Sequence, residues 1–366
     1  MWEVEKKGLI SDGQWGNRSG RSPCDVALTK ELHYELLNMT LKEYASMEND
    51  AKACYDRMVP NLILLVSRSV RMSKEVCQTV GKIFKRTAHH VMTRAGESKL
   101  TFGYERERPI FGSWQGATKS VISWTLVSSI LQKIHQKEVG GATFRSPDKK
   151  RVVKQSTIGL VDDNNNCVTK KKGKKIEESL KESAQKWEKL LYASGGKLEL
   201  NKCFTYLIKW KHNGVGEQII SEERENLQIK DREDGEIVMI EAKQANEAHK
   251  TLGPDMSMKR QLEEMKKKIS RIAHLITSYG LSQEISRKAY SAVFKPAVEY
   301  ALTSSYMKKE ELDKAQARAT RSFLKAMGYN PNFPRVVAYA QREIRGMGMN
   351  RMYMDQGIKN VSQLLK

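Results

Sequence analysis

The sequence predicts an α+β chain, with a mixed region of strands and helices followed by a helical bundle. Two patterns carry that prediction. Short apolar runs that end on Gly, Asn or Asp alternate with helix-period segments through the first two thirds of the chain. From Leu262 onward the apolar residues Leu262, Met265, Ile269, Ile272 and Ile276 recur at three-four spacing, the signature of an amphipathic helix. A length of 366 residues leaves room for two or three domains, although the apolar content of 39% is low for a globular chain.

Taken in order, residues 1–24 are rich in Gly, Ser and Arg and read as loop. Helical spacing begins at Val26 and continues through Leu28, Leu32 and Leu36. Residues 41–49 read as a strand. Residues 61–95 read as mostly helical, which puts His89 and His90 on a helix pointing in different directions, as surface residues and not a ligand pair. The segment "TRAGESKLTFGYERERP" reads as a hairpin, and a long helix follows "FGSWQGATKS". Val152–Val161 reads as one strand, and "TKKKGKK" as a basic loop.

Ile176, Leu180, Ala184, Trp187 and Leu191 mark a helix that Gly195 and Gly196 would end. "KLELNKCFTYLIKW" reads as strand, turn and strand, and residues 212–250 as short strands and loops. After a boundary near Leu252–Pro254, helices are predicted over about 257–279, over 284–300, and through Leu312, Ala315, Ala319 and Phe323 to a stop at Gly328. There is no internal repeat.

The formal net charge is +21, from 64 Lys and Arg against 43 Asp and Glu. Such an excess suits a polyanionic partner, most simply nucleic acid, with an acidic membrane surface or a generic basic protein as the alternatives. No apolar run reaches the ~18 residues of a membrane span. The N-terminus lacks the charged-then-apolar plan of a signal peptide, so the expectation is an intracellular, not secreted, protein of nucleus or cytoplasm. Five widely spaced cysteines, with no CxxC, point neither to a disulfide framework nor to zinc.

The stretch Ile158–Asn166, "IGLVDDNNN", sets two like charges directly after an apolar run. A polar turn accounts for it on composition, because Asp and Asn favour turns. The sharper alternative is a divalent-metal site at the tip of a strand-turn-strand, where a cation offsets the repulsion. Three further stretches stand in order around it: "DAKACYD" from Asp50, "GSWQGATKS" around Gln115 and Gly116, and "SGGKLELNKC" ending near Lys202.

This series resembles motifs A to D of the reverse transcriptase palm, with "LVDD" as motif C. Upstream, "GNRSGRSPCD" is similar to the G-x-R-x-x-R-S stretch of retroelement fingers; downstream, "KTLG" resembles the motif before the thumb. "LKAMGYNPNFPR" and "MYMDQGIKNVSQLL" resemble the C-terminal helices of the non-retroviral, retrotransposon-like group. Two residues depart from the pattern: Leu160 stands where an aromatic is usual, and Trp114 where Pro is common. The first finger strands are expected to lie outside this sequence.

The resemblance implies a right-hand polymerase: partial fingers over residues 1–40, palm with an interleaved fingers segment over 41–253, and a helical thumb over 254–366. It implies template-directed DNA synthesis on RNA, with an RNA template, a DNA primer and deoxynucleoside triphosphates as partners. Two magnesium ions, with manganese as the substitute, would be held by Asp50, Asp162 and Asp163. Tyr55 would be the sugar gate, Gln115 and Gly116 would lie against the nascent base pair, and Lys202 would be the acid at the pyrophosphate. Arg18 and Arg21 would touch template phosphates, and "KKKGKK" the duplex backbone or a nuclear-import receptor.

Asp56 reads as a first-turn helix acid and Ser120 as a helix-packing residue. The competing readings are a truncated, inactive nucleic-acid-binding remnant and an RNA-directed RNA polymerase. The aromatic at Tyr55 argues against the second. No ribonuclease H or endonuclease constellation is present in these residues.

Overall fold

The computed structural model describes residues 2–94, 96–103, 111–113, 118–146, 148–215, 217–221, 224–243, 258–303 and 306–365. They form two compact units, Met1–Val26 with His33–Ala245, and Ala27–Leu32 with Asn246–Lys366. The mixed α+β architecture expected from the sequence is the one observed.

The first unit begins with a short helix, α1 (Trp2–Lys6), where loop was expected. Helix α2 (Pro23–Thr40) starts at Ser22, whose hydroxyl accepts from Asp25 N while the Asp25 carboxylate accepts from Ser22 N. With Pro23 in the first turn this is a complete helix start, written in the sequence as "SPCD".

Strand β1 (Tyr44–Asp50) leads through α3 (Cys54–Arg57), α4 (Pro60–Ser69) and α5 (Lys74–Arg86) into the hairpin β2 (Ala88–Thr93) and β3 (Gly96–Gly103). His89 and His90 are therefore on a strand, not a helix: helix α5 closes at Thr87, and His89 pairs with Phe102, ring on ring at 5.2 Å. Helix α6 (Thr118–Val139) follows, then β4 (Ala142–Arg145) and β5 (Val152–Gln155). The strand expected over Val152–Val161 is broken at Ser156, so that β5 pairs with β4 while β6 (Thr157–Leu160) joins the main sheet.

Strand β7 (Asp163–Thr169) and helix α7 (Ile176–Ala193) come next, the helix ended by Gly195 at φ 90° with Gly196 N donating to Leu191 O. Of the strand, turn and strand expected over "KLELNKCFTYLIKW", the first strand is only an isolated bridge between Leu198 and Ala51, and the turn is a 3-10 turn over Leu200–Lys202. It precedes β8 (Phe204–Ile208), β9 (Trp210–His212), β10 (Gln218–Ile220), β11 (Leu227–Lys230) and β12 (Ile237–Lys243).

The main sheet runs β11-β12-β8-β1-β7-β6, antiparallel except where β12 meets β8. Strand β1 is buried almost to its end because both its faces are covered. Ala45 and Met47 join Trp124 and Leu131 of α6 and Leu180 and Trp187 of α7 in one core. Tyr44, one residue out of phase, packs on the other face with Leu37, Phe144 and Ile208. This two-sided burial fixes the register, and so fixes where Asp50 emerges.

The second unit is helical: α8 (Met258–Ser278), α9 (Gln283–Ala289), α10 (Lys295–Thr303), α11 (Lys309–Ala326), α12 (Arg335–Tyr339) and α13 (Met352–Leu364). A π-helical turn at Tyr290–Phe294 joins α9 to α10, where one continuous helix was expected. The apolar stripe of α8, Leu262, Met265, Ile269 and Ile276, packs with Leu312, Ala319 and Phe323 of α11. Helix α11 stops as expected, with Gly328 at φ 82° and Tyr329 N donating to Leu324 O. The expected boundary at Leu252–Pro254 lies outside the described residues. No helix among the described residues is long and apolar enough to cross a membrane.

Candidate active site

Asp50 ends β1 and Asp163 begins β7, and the two are direct partners in the antiparallel register. Side chains so placed have Cβ atoms about 4.5–5.5 Å apart, and like charges there are destabilising. Asp162 belongs to the two-residue turn between β6 and β7, and its carbonyl accepts from Ala51 N at 3.3 Å. The first turn residue, Val161, has φ 60°, a conformation such hairpins usually give to glycine. A β-branched residue there is strained and needs support from its surroundings.

That support comes from residues far away in the chain. Trp124 Nε1 donates to Val161 O at 2.6 Å. The wholly buried Gln14 accepts from Val161 N at 3.3 Å and from Gly16 N at 2.9 Å, and donates to Ser128 Oγ at 2.8 Å. A Cβ on Gly16 would stand 2.6 Å from Val161 N. The segment around Gly13–Trp15 runs beside β6, with Trp15 N on Gly159 O at 2.8 Å and Gly159 N on Gly13 O at 2.7 Å. Gln14 and Val161 are site residues that sequence reasoning missed, and no local signal marks either.

Burial holds the Asp162 carboxyl above the usual carboxylate range, and the Asp50 charge adds to this. The Cys54 thiol donates to Asp162 and is itself pushed up, by burial first and Asp162 second. On Asp50 the counter-charge is Lys202, whose ammonium donates to Oδ2 at 2.8 Å and is raised chiefly by that bond. Lys202 arrives there because Lys197–Glu199 runs along the end of β1: Lys52 N donates to Lys197 O at 2.8 Å and Glu199 N to Asp50 O at 2.9 Å. Lys197 is anchored by Asp231, Glu233 and Asp234, at 3.0, 2.8 and 2.5 Å.

Tyr55 stands in the single turn of α3, half-buried, its hydroxyl pushed up to about 12 by burial, then by Cys54 and Asp162. Its carbonyl accepts from Ser113 N at 2.8 Å, and Gly112 at φ 99° lies so close that a Cβ there would come within 2.8 Å of Asp56 Cα. Asp56 sits in the first turn of α3, and the buried Ser120 hydroxyl donates to Ser113 O. Gln115 and Gly116 lie outside the described residues.

Asp50, Asp162, Asp163, Lys202 and Tyr55 are thus brought together, while the two arginines have other partners. The Arg18 guanidinium binds Glu5 at 2.8 Å and the carbonyls of Ser11 and Gln14 at 3.2 and 3.0 Å, so it braces the N-terminal segment. Arg21 lies 4.5 Å over the Trp15 ring. In the basic loop, Lys170 and Lys174 bind Glu43 and Glu182, each at 2.6 Å.

The three asparagines after the acid pair are not turn residues. Asn164, Asn165 and Asn166 lie inside β7, at 4%, 1% and 0% exposure. Asn164 Nδ2 donates to Asn166 Oδ1 at 2.6 Å, as does Asn49 Nδ2 of β1 at 3.3 Å. Gln132 of α6 donates to Asn164 Oδ1 at 3.3 Å, and Asn165 donates to the buried Glu48 carboxylate. These side-chain bonds and the pairing with β1 hold the asparagines in a strand interior that composition alone would assign to a loop, although Gln132 Oε1, Asn165 Oδ1 and Asn166 Nδ2 find no partner among the described residues.

Among the described residues, no three His, Cys, Asp or Glu side chains converge as a ready metal cage. The donor set still suits magnesium, which takes hard oxygen ligands, keeps several waters and is held by one or two carboxylates plus substrate phosphates. Two facing aspartates with a third held above its usual range by burial and a neighbouring charge are such a set.

No protein-family model matches the chain, and no curated protein matches it. Among solved structures the chain is similar to telomerase from Candida albicans in complex with a TWJ fragment of telomeric RNA, at 13% identity and TM-score 0.40, covering 100% of this chain and 54% of that one. It is similar to telomerase from Candida tropicalis with such a fragment at 14% identity and TM-score 0.41, covering 99% and 54%. The apo telomerase of Candida tropicalis gives 14% and 0.41, covering 99% and 57%. The chain spans about half the length of these solved chains.

Proposed function

We propose that this site performs template-directed nucleotidyl transfer. More particularly, we read the chain as an RNA-directed DNA polymerase of the non-retroviral, retrotransposon-like kind. The observation that supports this most is the meeting of Asp50 with Asp163 across β1 and β7, with Asp162 in a braced turn beside them and Lys202 on Asp50. These are the residues that the ordered motifs single out.

In the reaction a primer 3′-hydroxyl attacks the α-phosphorus of a deoxynucleoside triphosphate, and pyrophosphate leaves. Bound magnesium, or manganese in its place, supplies charge neutralisation for the attacking and leaving oxygens. Asp50 and Asp162 would hold both ions, and Asp163 the one nearer the primer end. Tyr55, packed beside Asp162 and Cys54, would stand against the sugar of the incoming nucleotide and exclude a 2′-hydroxyl. The Lys202 ammonium, on a flexible and exposed stem, would give a proton to the departing pyrophosphate oxygen. Gln115 and Gly116 would meet the nascent base pair. Arg18 would have a structural role, because its Nε and Nη1 already bind Glu5 and the carbonyls of Ser11 and Gln14.

The test is magnesium-dependent extension of a DNA primer on an RNA template, with deoxynucleotides and with ribonucleotides, beside Asp162→Asn. Extension with deoxynucleotides that vanishes in the variant is the expected result. Equal use of ribonucleotides would favour an RNA polymerase. Salt-sensitive binding of primer-template without extension would favour a binding remnant.

A further inference from the structure

The helical unit carries a cavity of about 480 Å³ between the π-helical turn and the chain after α11. That volume lies in the ~300–1,000 Å³ range of small-ligand sites. Tyr290, Met327 and Met349 are buried and form its floor. Tyr329 and Phe333, ring centres 5.2 Å apart, form an aromatic wall. Three exposed arginines, Arg287, Arg342 and Arg345, line it, and no acidic residue among the described ones does.

The cavity is built into the backbone. Arg345 adopts φ 63° and Gly348 φ 68°, which turns the chain back so that Gly348 N donates to Ala340 O at 2.9 Å and Met349 N to Ala338 O at 3.0 Å. A Cβ on Gly346 would stand 2.1 Å from Ala340 O, so only glycine fits. Arg287 reaches the Tyr329 hydroxyl at 3.4 Å, which ties a guanidinium to the rim of the aromatic wall.

We propose that this cavity binds an unpaired nucleotide of single-stranded nucleic acid, its base against Tyr329 and Phe333 and its phosphate on Arg342 and Arg345. Aromatic faces stack any base, and guanidinium groups match phosphate geometry. An acidic peptide would use the arginines but leave the aromatic and methionine surface without a partner. The net charge of +21 favours a polyanion of either kind. None of these residues belongs to the aspartate site, so the proposal stands or falls separately from the polymerase reading.

The experiment uses the full chain and a short single-stranded RNA carrying one 5-iodouracil, without metal or nucleotides. Irradiation followed by peptide mapping is expected to place an adduct on Tyr329 or Phe333. Arg342→Ala with Arg345→Ala should lower the adduct yield about 10-fold. It should also reduce the slope of log affinity against log salt by about 0.7, for the one phosphate no longer neutralised. Arg342→Lys with Arg345→Lys, which keeps the charge, should fall between, and guards against a folding defect. Tyr329→Phe should keep the adduct that Tyr329→Ala diminishes. Adducts only elsewhere with an unchanged salt slope would overturn the proposal. So would displacement of the RNA by poly-glutamate as effectively as by unlabelled RNA.

Discussion

The Lys202 ammonium donates to Asp50 Oδ2 at 2.8 Å, on the same strand end that faces Asp163. A lysine there offsets the repulsion of the two carboxylates when no metal does. Lys202→Gln should therefore lower the melting temperature in metal-free buffer, and added magnesium should restore more stability to the variant than to the wild type. Primer extension should slow about 10²-fold, the low end for loss of a general acid. An unchanged rate would leave Lys202 as one more exposed lysine.

Tyr55 sits half-buried beside Cys54 and Asp162. Tyr55→Ala should raise ribonucleotide use relative to deoxynucleotide by at least about 10-fold, a loss of roughly 1.4 kcal/mol of discrimination. Tyr55→Phe should keep it, because exclusion needs the ring and not the hydroxyl. Competition assays with both nucleotide types on one template read the ratio directly.

Asn165 donates to the buried Glu48 from inside β7. Asn165→Ala removes a hydrogen bond to a charged group and leaves a small void. The expected cost is about 2–4 kcal/mol in chemical denaturation, well above that of an ordinary surface change.

His135 is buried between Ser156 Oγ and Ser183 O, each at 3.0 Å, and burial lowers it from 6.5 to about 4. The unfolded chain therefore takes up the proton first. The stability this histidine contributes is complete above pH 6.5 and is lost as pH falls towards 4. The difference corresponds to about 3 kcal/mol at most. His33 is lowered to about 4 by burial and acts in the same direction. His135→Gln should flatten the fall in stability between pH 6.5 and 4, as read by denaturation midpoints across that range.

Gly16 leaves no room for a Cβ beside Val161 N. Gly16→Ala should cost about 1–3 kcal/mol and lower primer extension by displacing the turn that carries Asp162. Gly214→Ala, where an added Cβ meets nothing within 4 Å, should be near neutral.

Much of this was legible in the sequence. The three-four spacings of α7, α8 and α11 are local signals, and each marks an element that formed, whereas α2 starts at Pro23, inside the segment read as loop. That Asp50, Asp162 and Asp163 come together could be expected from the order of their stretches along the chain, which carries information that no single stretch does. What sequence could not show depends on contacts across the fold. Val161 reads as one more apolar residue, and its backbone strain exists only because Gln14, Gly16 and Trp124 close around it. Asn164–Asn166 read as a turn because asparagine favours turns, but pairing with β1 and Gln132 turns them into strand interior. His89 and His90 follow a helical pattern that α5 does not extend to, and pairing with β3 decides their conformation.

The most direct test of the central claim is single-nucleotide addition to a DNA primer on four RNA templates that differ in one base, with magnesium present. The account predicts that the deoxynucleotide added follows the template base in all four, and that Asp162→Asn reduces each reaction to background. Addition that ignores the template base, or a variant as fast as the wild type, would contradict it.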